Sequence, residues 1–206
     1  MANPAHSELL IATLNTGKIR ELKNLLSTLP LYLRQLSEFP QITEVEETGK
    51  TFAENAELKA RLYSRQTGLW SLADDSGLEV DALNGAPGVL SARFGGAGAS
   101  DKDRNARLLG ELSLTDDKHR TARFICAIAL YEPEKGTVEL FNGICEGFIS
   151  RDPRGSNGFG YDPLFIPTGY AYTFGELPNE IKQQLSHRAQ ALSDVRVFLT
   201  ERFTGP

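Results

Sequence analysis

A chain of 206 residues with 40% apolar and 24% charged side chains can bury a substantial core, and its length suits one domain or one domain with two lobes. The formal net charge of -5 argues against broad binding to nucleic acid or anionic membrane, while leaving room for a local cationic pocket. The longest apolar run, FICAIAL, falls far short of the ~20 residues of a membrane span. MANPAHSELL carries no basic stretch ahead of a long apolar core, so the expectation is a cytoplasmic protein with no membrane partner.

In chain order, ELLIATL reads as a buried strand, followed by a helix capped at Asn15 or Thr16 with Ile19, Leu22, Leu25 and Leu26 on its apolar face. LYLRQL predicts a second strand, and EVEETGKT an acidic loop. Thr51 and Glu54 have capping-box spacing and open a helix that runs to about Thr67, where Gly68 stops it. LWSLAD is the next strand, expected to end at Asp74 and Asp75. Glycines and Pro87 mark loop up to Gly98, and a helix follows near Asp101–Leu112. Two β-rich stretches, RTARFICAIALYEP and TVELFNGICEGFIS, flank a PEKG turn and suggest a hairpin. PRGSNGFGYDP is too rich in Gly and Pro for regular structure, and the tail from Ser186 is helical, with Leu192, Val195 and Leu199 on one face. Interleaved helices and strands with one long hairpin predict an α/β fold with a mixed sheet. Cys126 and Cys145 sit apart in strand-like segments and match no paired metal spacing, which predicts buried thiols rather than a disulfide. His6, His119 and His187 are scattered, so no zinc site is expected.

Four stretches carry candidate chemistry. ATLNTGK, Ala12–Lys18, is a strand-to-helix turn that would aim backbone N–H groups and the positive helix end at an anion, with Thr13, Asn15 and Lys18 as further donors. It lacks the first glycine of a Walker A loop, and Ile19 stands where Ser or Thr would follow the lysine; by itself it is either an anion site or an ordinary capped turn. Glu44, Glu46, Glu47, Asp74 and Asp75 offer oxygen ligands for a hard cation such as Mg²⁺, or a base for an attacking water. Glu44 reads as plain solvated loop, whereas adjacent carboxylates at 74 and 75 repel and gain from a cation. In NGFGYDP, Asn157–Pro163, Phe159 or Tyr161 could stack on a base, the alternative being a tight turn with aromatic core plugs. In SHRAQAL, a Ser186 N-cap places His187 and Arg188 in the first helical turn, where cations oppose the helix dipole and an acceptor-rich ligand would explain them. Lys59 taken alone reads as an exposed helix residue. Together these are the parts of a nucleoside phosphate site, and they do not choose the phosphate bond that breaks.

ATLNTGKIRELKNLL, EETGKTFAENAELKA, ADDSGLEVDALNGAPGVLSARF, NGFGYDPLF and SHRAQAL, in that order from about Leu10 to Leu192, resemble the inosine triphosphate pyrophosphatase family, also called XTP/dITP pyrophosphatases. The resemblance implies an ITPase-like (Maf/Ham-type) fold over residues 1–206: a single α/β domain whose two lobes surround a long twisted mixed β-sheet flanked by helices, with the active site in a central cleft. It implies a homodimer and Mg²⁺-dependent hydrolysis of ITP, dITP and XTP to monophosphate and pyrophosphate, which cleanses the nucleotide pool. Position by position, it assigns the phosphate turn to Thr13, Leu14, Asn15, Thr16, Gly17 and Lys18, and a further phosphate contact to Lys59. It assigns magnesium to Glu46 and Asp75, with Asp75 also the base, and a substrate contact to Ser76. Phe159, Gly160, Tyr161, Asp162, Lys182, His187 and Arg188 match nucleoside-binding positions. Asp74 is expected to support the turn or the residues around the metal. Leu14 replaces a family glycine: either positive φ or close approach is needed there and the turn is altered, or the leucine points into the core and nothing changes. Two rivals remain, a nucleotide-binding module without turnover and a pyrophosphatase for pyrimidine or other modified nucleotides; a panel of triphosphates assayed for pyrophosphate release separates them.

Overall fold

The structure, a computed structural model, describes residues 8–96 and 98–204. His6 and most of the N-terminal stretch read above for a targeting segment lie outside the described residues. Six strands, β1 (Glu8–Ile11), β2 (Tyr32–Gln35), β3 (Trp70–Val80), β4 (Thr121–Glu132), β5 (Thr137–Ile149) and β6 (Phe165–Pro167), form a sheet in the order β2-β1-β3-β4-β5-β6. The helices are α1 (Thr16–Leu26), α2 (Phe52–Thr67), α3 (Asp101–Glu111), α4 (Asn179–Leu185) and α5 (His187–Thr204), with short 3₁₀ turns among them. β1 runs parallel to β2 and to β3, while β5 and β6 are antiparallel, so the sheet is mixed, as the interleaved pattern predicts.

The chain divides into two compact units. The first holds the residues up to Asp75, Cys126–Asn142 and those from Gln190; the second holds Ser76–Ile125 and Gly143–Ala189. In the first unit, Leu9 and Ile11 of β1 and Cys126, Ile128 and Leu130 of β4 recur with period two, the strand signature, and point into one core. Leu22 and Leu26 of α1 and Leu192, Val195 and Leu199 of α5, spaced at three and four, join that core with Trp70 and Leu72 of β3. In the second unit, Leu78, Val80, Phe124, Cys145 and Ile149 pack with Leu108 and Leu112 and with Phe165 and Phe174. The Phe124 and Phe165 ring centroids lie 4.5 Å apart and those of Phe165 and Phe174 5.5 Å, within the range where aromatic pairs attract beyond area alone.

Local signals place the helix ends. The Asn15 side chain accepts the Lys18 N–H, which makes Asn15 rather than Thr16 the cap of α1. Thr51 Oγ1 accepts the Glu54 N–H at 3.1 Å and Glu54 Oε2 accepts the Thr51 N–H at 3.2 Å, the reciprocal capping box expected for α2. Gly68 closes that helix. One boundary differs from expectation. Asp74 and Asp75 do not end a strand, because β3 continues through both of them to Val80. Ladder bonding and burial on both faces carry the strand past a break that charge alone suggests.

Both cysteines are buried, and neither is in a disulfide. Burial, reinforced by the Glu146 and Asp162 carboxylates, pushes the Cys145 thiol up to about 12. The thiolate fraction at pH 8 is then about 10⁻⁴, and the thiolate is the reactive form. Titration with a thiol-specific chromogenic reagent is expected to find neither cysteine in native protein and both in guanidinium chloride. Fast native modification of Cys145 would contradict this burial.

Candidate functional site

The first unit carries a capped strand-to-helix turn. After Ala12 the chain leaves β1, the Asn15 N–H donates to Thr13 Oγ1 at 3.2 Å, and the Asn15 cap starts α1. The Thr16 and Gly17 amides open the helix, where first-turn N–H groups have no intrahelical acceptor. Thr13 is buried, while Leu14, Asn15 and Thr16 are exposed. Leu14 is 53% exposed, so it does not plug the core. Asn84 is the only described non-glycine residue with positive φ, so Leu14 sits in backbone that any residue adopts, and the missing glycine costs no strain here.

Beside this turn lies a buried ion cluster. Side chains alternate along a strand, so Asp74 and Asp75 leave β3 on opposite faces and meet lysines of different helices. Lys18 Nζ of α1 is 3.0 Å from Asp74 Oδ2. Lys59 Nζ of α2 donates to Glu47 Oε1 at 2.6 Å and to the Asp74 carbonyl at 2.7 Å, and lies 3.6 Å from Asp75 Oδ1. Lys59 is 6% exposed, which overturns the reading of it as an exposed helix residue; its amphipathic stem and the carboxylates around its head draw it inside. Burial lowers the Lys59 ammonium, but Asp75, Asp74 and Glu47 outweigh it and raise the group above its ordinary value. Burial raises the Asp75 carboxyl above the ordinary range, against the opposing pull of Lys59 and Lys18.

Three carboxylates, Asp74, Asp75 and Glu47, lie among two ammoniums, Lys18 and Lys59. An oxygen-rich, negative, mostly buried donor set suits a hard divalent cation. Among the described residues no three His, Cys, Asp or Glu side chains converge on one metal position. A cation here would complete its shell with water or substrate oxygens, as Mg²⁺ commonly does. Glu46 is exposed, and its neighbour Glu47 is the loop carboxylate in the cluster.

The second unit gathers the other candidates around Phe159. Lys182 Nζ is 2.6 Å from Asp162 Oδ2 and 4.6 Å from the Phe159 ring centroid, while the Arg188 guanidinium lies 5.8 Å from the same ring. Arg188 Nη2 donates to Ser76 Oγ at 2.8 Å. His187 stacks on Phe124 at 4.8 Å, and Ser186 Oγ accepts the Ala189 N–H in the first turn of α5. Lys182, His187 and Arg188 are all buried. Of the two aromatics weighed for stacking, Tyr161 is a core residue whose hydroxyl donates to the Ser91 carbonyl at 2.9 Å, and burial raises its phenol. Phe159 is half-buried. Gly160 is held from both sides: its N–H donates to Asp101 Oδ2 at 2.7 Å, and its carbonyl accepts from Asn105 Nδ2 at 3.1 Å. Nothing in the sequence singles out Asp101 and Asn105 beyond their i, i+4 spacing on α3.

The model of the Ham1 family matches residues 9–198. The chain belongs to the Ham1 family. It is 49% identical over 196 residues to a dITP/XTP pyrophosphatase of Desulforamulus reducens, covering 95% of this chain and 97% of that one. A dITP/XTP pyrophosphatase of Geobacter sulfurreducens is 51% identical over 187 residues, 91% of this chain and 94% of that one. The structure of a HAM1 protein from Coxiella burnetii superposes with a TM-score of 0.86 at 45% identity, covering 94% of this chain and 98% of that one. Membership accounts for the mixed six-stranded sheet with flanking helices.

Gly158 offers a test of the second cluster. Its φ is +76°, and a Cβ there would lie 1.9 Å from Asp162 Oδ2, the oxygen that accepts the Phe159 N–H at 2.7 Å and pairs with Lys182. Gly158→Ala is expected to cost about 1–3 kcal/mol of stability in urea titration and to raise KM for nucleotide. A variant with wild-type stability and KM would show that Asp162 does not need this close approach.

Proposed function

We propose that the protein is a Mg²⁺-dependent nucleoside triphosphate pyrophosphohydrolase that converts dITP, ITP and XTP to monophosphate and pyrophosphate, and so clears deaminated purine nucleotides from the cytoplasmic pool. The observation that carries this reading is the buried Lys18–Asp74 and Lys59–Asp75 pairing beside the capped turn of α1. Charged groups buried this way at a helix N-terminus suit a polyanion and a base in one place.

On this reading, Lys18, Lys59 and the Thr16 and Gly17 amides neutralise the phosphates, and Thr13 to Lys18 hold them in place. Asp75 orients a water and takes its proton; the water oxygen bonds to the α-phosphorus, the α–β bridging bond breaks, and pyrophosphate leaves with the electron pair. Bound Mg²⁺, held by Asp75 and Glu46, would supply charge neutralisation for the leaving pyrophosphate. Ser76, Phe159 to Asp162, Lys182, His187 and Arg188 take the nucleoside, the base lying against Phe159. Ammonium and guanidinium donors match a 6-oxo purine, whereas adenine presents an amino donor there and leaves buried donors unsatisfied, at about 1–3 kcal/mol each. The protein acts as a single catalytic domain and a homodimer without an intersubunit disulfide; sedimentation is expected to give the same dimer with and without reductant.

Asp75→Asn is expected to abolish pyrophosphate release from ITP, by at least ~10²-fold, with the fold intact by circular dichroism. A variant keeping a third of its activity would remove Asp75 from the reaction.

Arg188→Ala is expected to lower kcat/KM for ITP by roughly 10- to 150-fold, the worth of one charged hydrogen bond to a base oxygen. ATP lacks that oxygen and should lose much less, so the ITP-to-ATP ratio should shrink. Equal losses on both substrates would assign Arg188 to the phosphates or to the fold instead.

A further inference from the structure

Asn55 lies in the first turns of α2 and is 1% exposed. Its Nδ2 donates to Asp75 Oδ2 at 3.0 Å, and its Oδ1 accepts the Gly49 N–H at 2.7 Å. The amide orientation is unambiguous: an ionised carboxylate only accepts and a backbone N–H only donates, so the nitrogen must face Asp75 and the oxygen Gly49. The loop approaches so closely that a Cβ on Gly49 would meet Asn55 Oδ1 at 2.7 Å and Glu54 Cβ at 2.8 Å. The same loop carries Glu47, whose carboxylate holds Lys59 at 2.6 Å. One side chain thus joins the acidic loop to Asp75, occupying Oδ2 while Oδ1 faces the Lys59 ammonium.

We infer that Asn55 is a positioning residue for the reaction. It fixes the rotation of the Asp75 carboxylate through Oδ2, with Oδ1 turned toward Lys59. A desolvated carboxylate with one oxygen held by a rigid neutral donor loses rotational freedom, and its basicity is depressed less than a cationic partner at the same place would depress it. The inference rests on Asp75 being the base, and the experiment separates the two claims.

The kinetics of pyrophosphate release from ITP are measured for wild type, Asn55→Ala, Asp75→Asn and the double variant, with thermal unfolding of each in the presence and absence of ITP. Asn55→Ala is expected to lower kcat by ~10- to 100-fold, the usual loss on removing a group that orients a functional ligand, with KM within about threefold of wild type. Its ITP-induced rise in Tm should match that of wild type, because the turn and lysines that bind phosphate are untouched. The double variant should fall no further than Asp75→Asn alone, because Asn55 acts through that carboxylate. Because alanine leaves a cavity, Asn55→Asp serves as the second probe: it keeps the size and the acceptor for Gly49 but replaces the donor with a repelling carboxylate, and should lose at least as much kcat. Wild-type kcat in Asn55→Ala or Asn55→Asp, a double variant that falls by the product of Asn55→Ala and Asp75→Asn, or a lost ITP-induced Tm rise in Asn55→Ala would each overturn the positioning role. Full activity in Asp75→Asn would instead remove the base assignment, a distinct outcome.

Discussion

The ammonium of Lys59, held by Glu47, by the Asp74 carbonyl and near Asp75, is the contact on which the first unit's ion cluster depends. A lysine with 6% exposure would ordinarily shed its proton, since burial disfavours the charged form by far more than an exposed pair returns. Here three carboxylates reverse that balance and the group stays cationic. The converse holds for Asp75, whose burial outweighs two lysines and raises its carboxyl. Neither group is comfortable alone. A raised carboxyl is a better proton acceptor than a fully stabilised one, and a buried ammonium is worth more to a phosphate than a hydrated one.

The strand supplies the geometry this needs. Two adjacent aspartates on a loop would share one space and repel. On β3 the pleat sends them apart, Asp74 to Lys18 of α1 and Asp75 toward Asn55 and Lys59 of α2. The doublet is therefore two separate salt-bridge anchors spaced by one residue of strand. The Lys59 bond to the Asp74 carbonyl adds a main-chain partner that cannot rotate away. The helix caps matter for the same reason: the Thr51–Glu54 box and the Asn15 cap set where α2 and α1 begin, and so where Lys59 and Lys18 emerge.

Much of this was legible in the sequence, and the failures have physical causes. The Thr51–Glu54 spacing, the Gly68 stop and the Leu192–Val195–Leu199 face follow from local rules, and the structure agrees with each. β3 was read as ending at Asp74 and Asp75 because charge interrupts an apolar run, yet ladder bonds and paired counter-ions keep it going. Lys59 looked exposed because helix periodicity says nothing about a partner contributed from residue 75 or from a loop at residue 47. Glu47, the loop carboxylate that meets Lys59, carries no distinguishing signal of its own, because an irregular loop has no period to reveal which residue turns inward. Asn55 was invisible for a related reason, because its two partners lie six residues before it and twenty after.

The two units set their buried cations in different surroundings. In the first, the positive groups face negative side chains of known position, so the ligand they suit is a polyanion that displaces or shares those partners. In the second, Lys182 and Arg188 lie over an aromatic face, and Lys182 pairs with Asp162. Donors fixed beside a ring face are directional: they favour an acceptor at one place on a planar ligand and disfavour a donor there. The close approach of Gly158 to Asp162 and the grip of the Asp101 and Asn105 side chains on the Gly160 backbone hold that ring's loop. If this loop takes the base, as proposed above, discrimination between an oxo and an amino purine would depend on a loop held before the base arrives, so that a mismatch is felt as unpaired donors instead of being absorbed by movement.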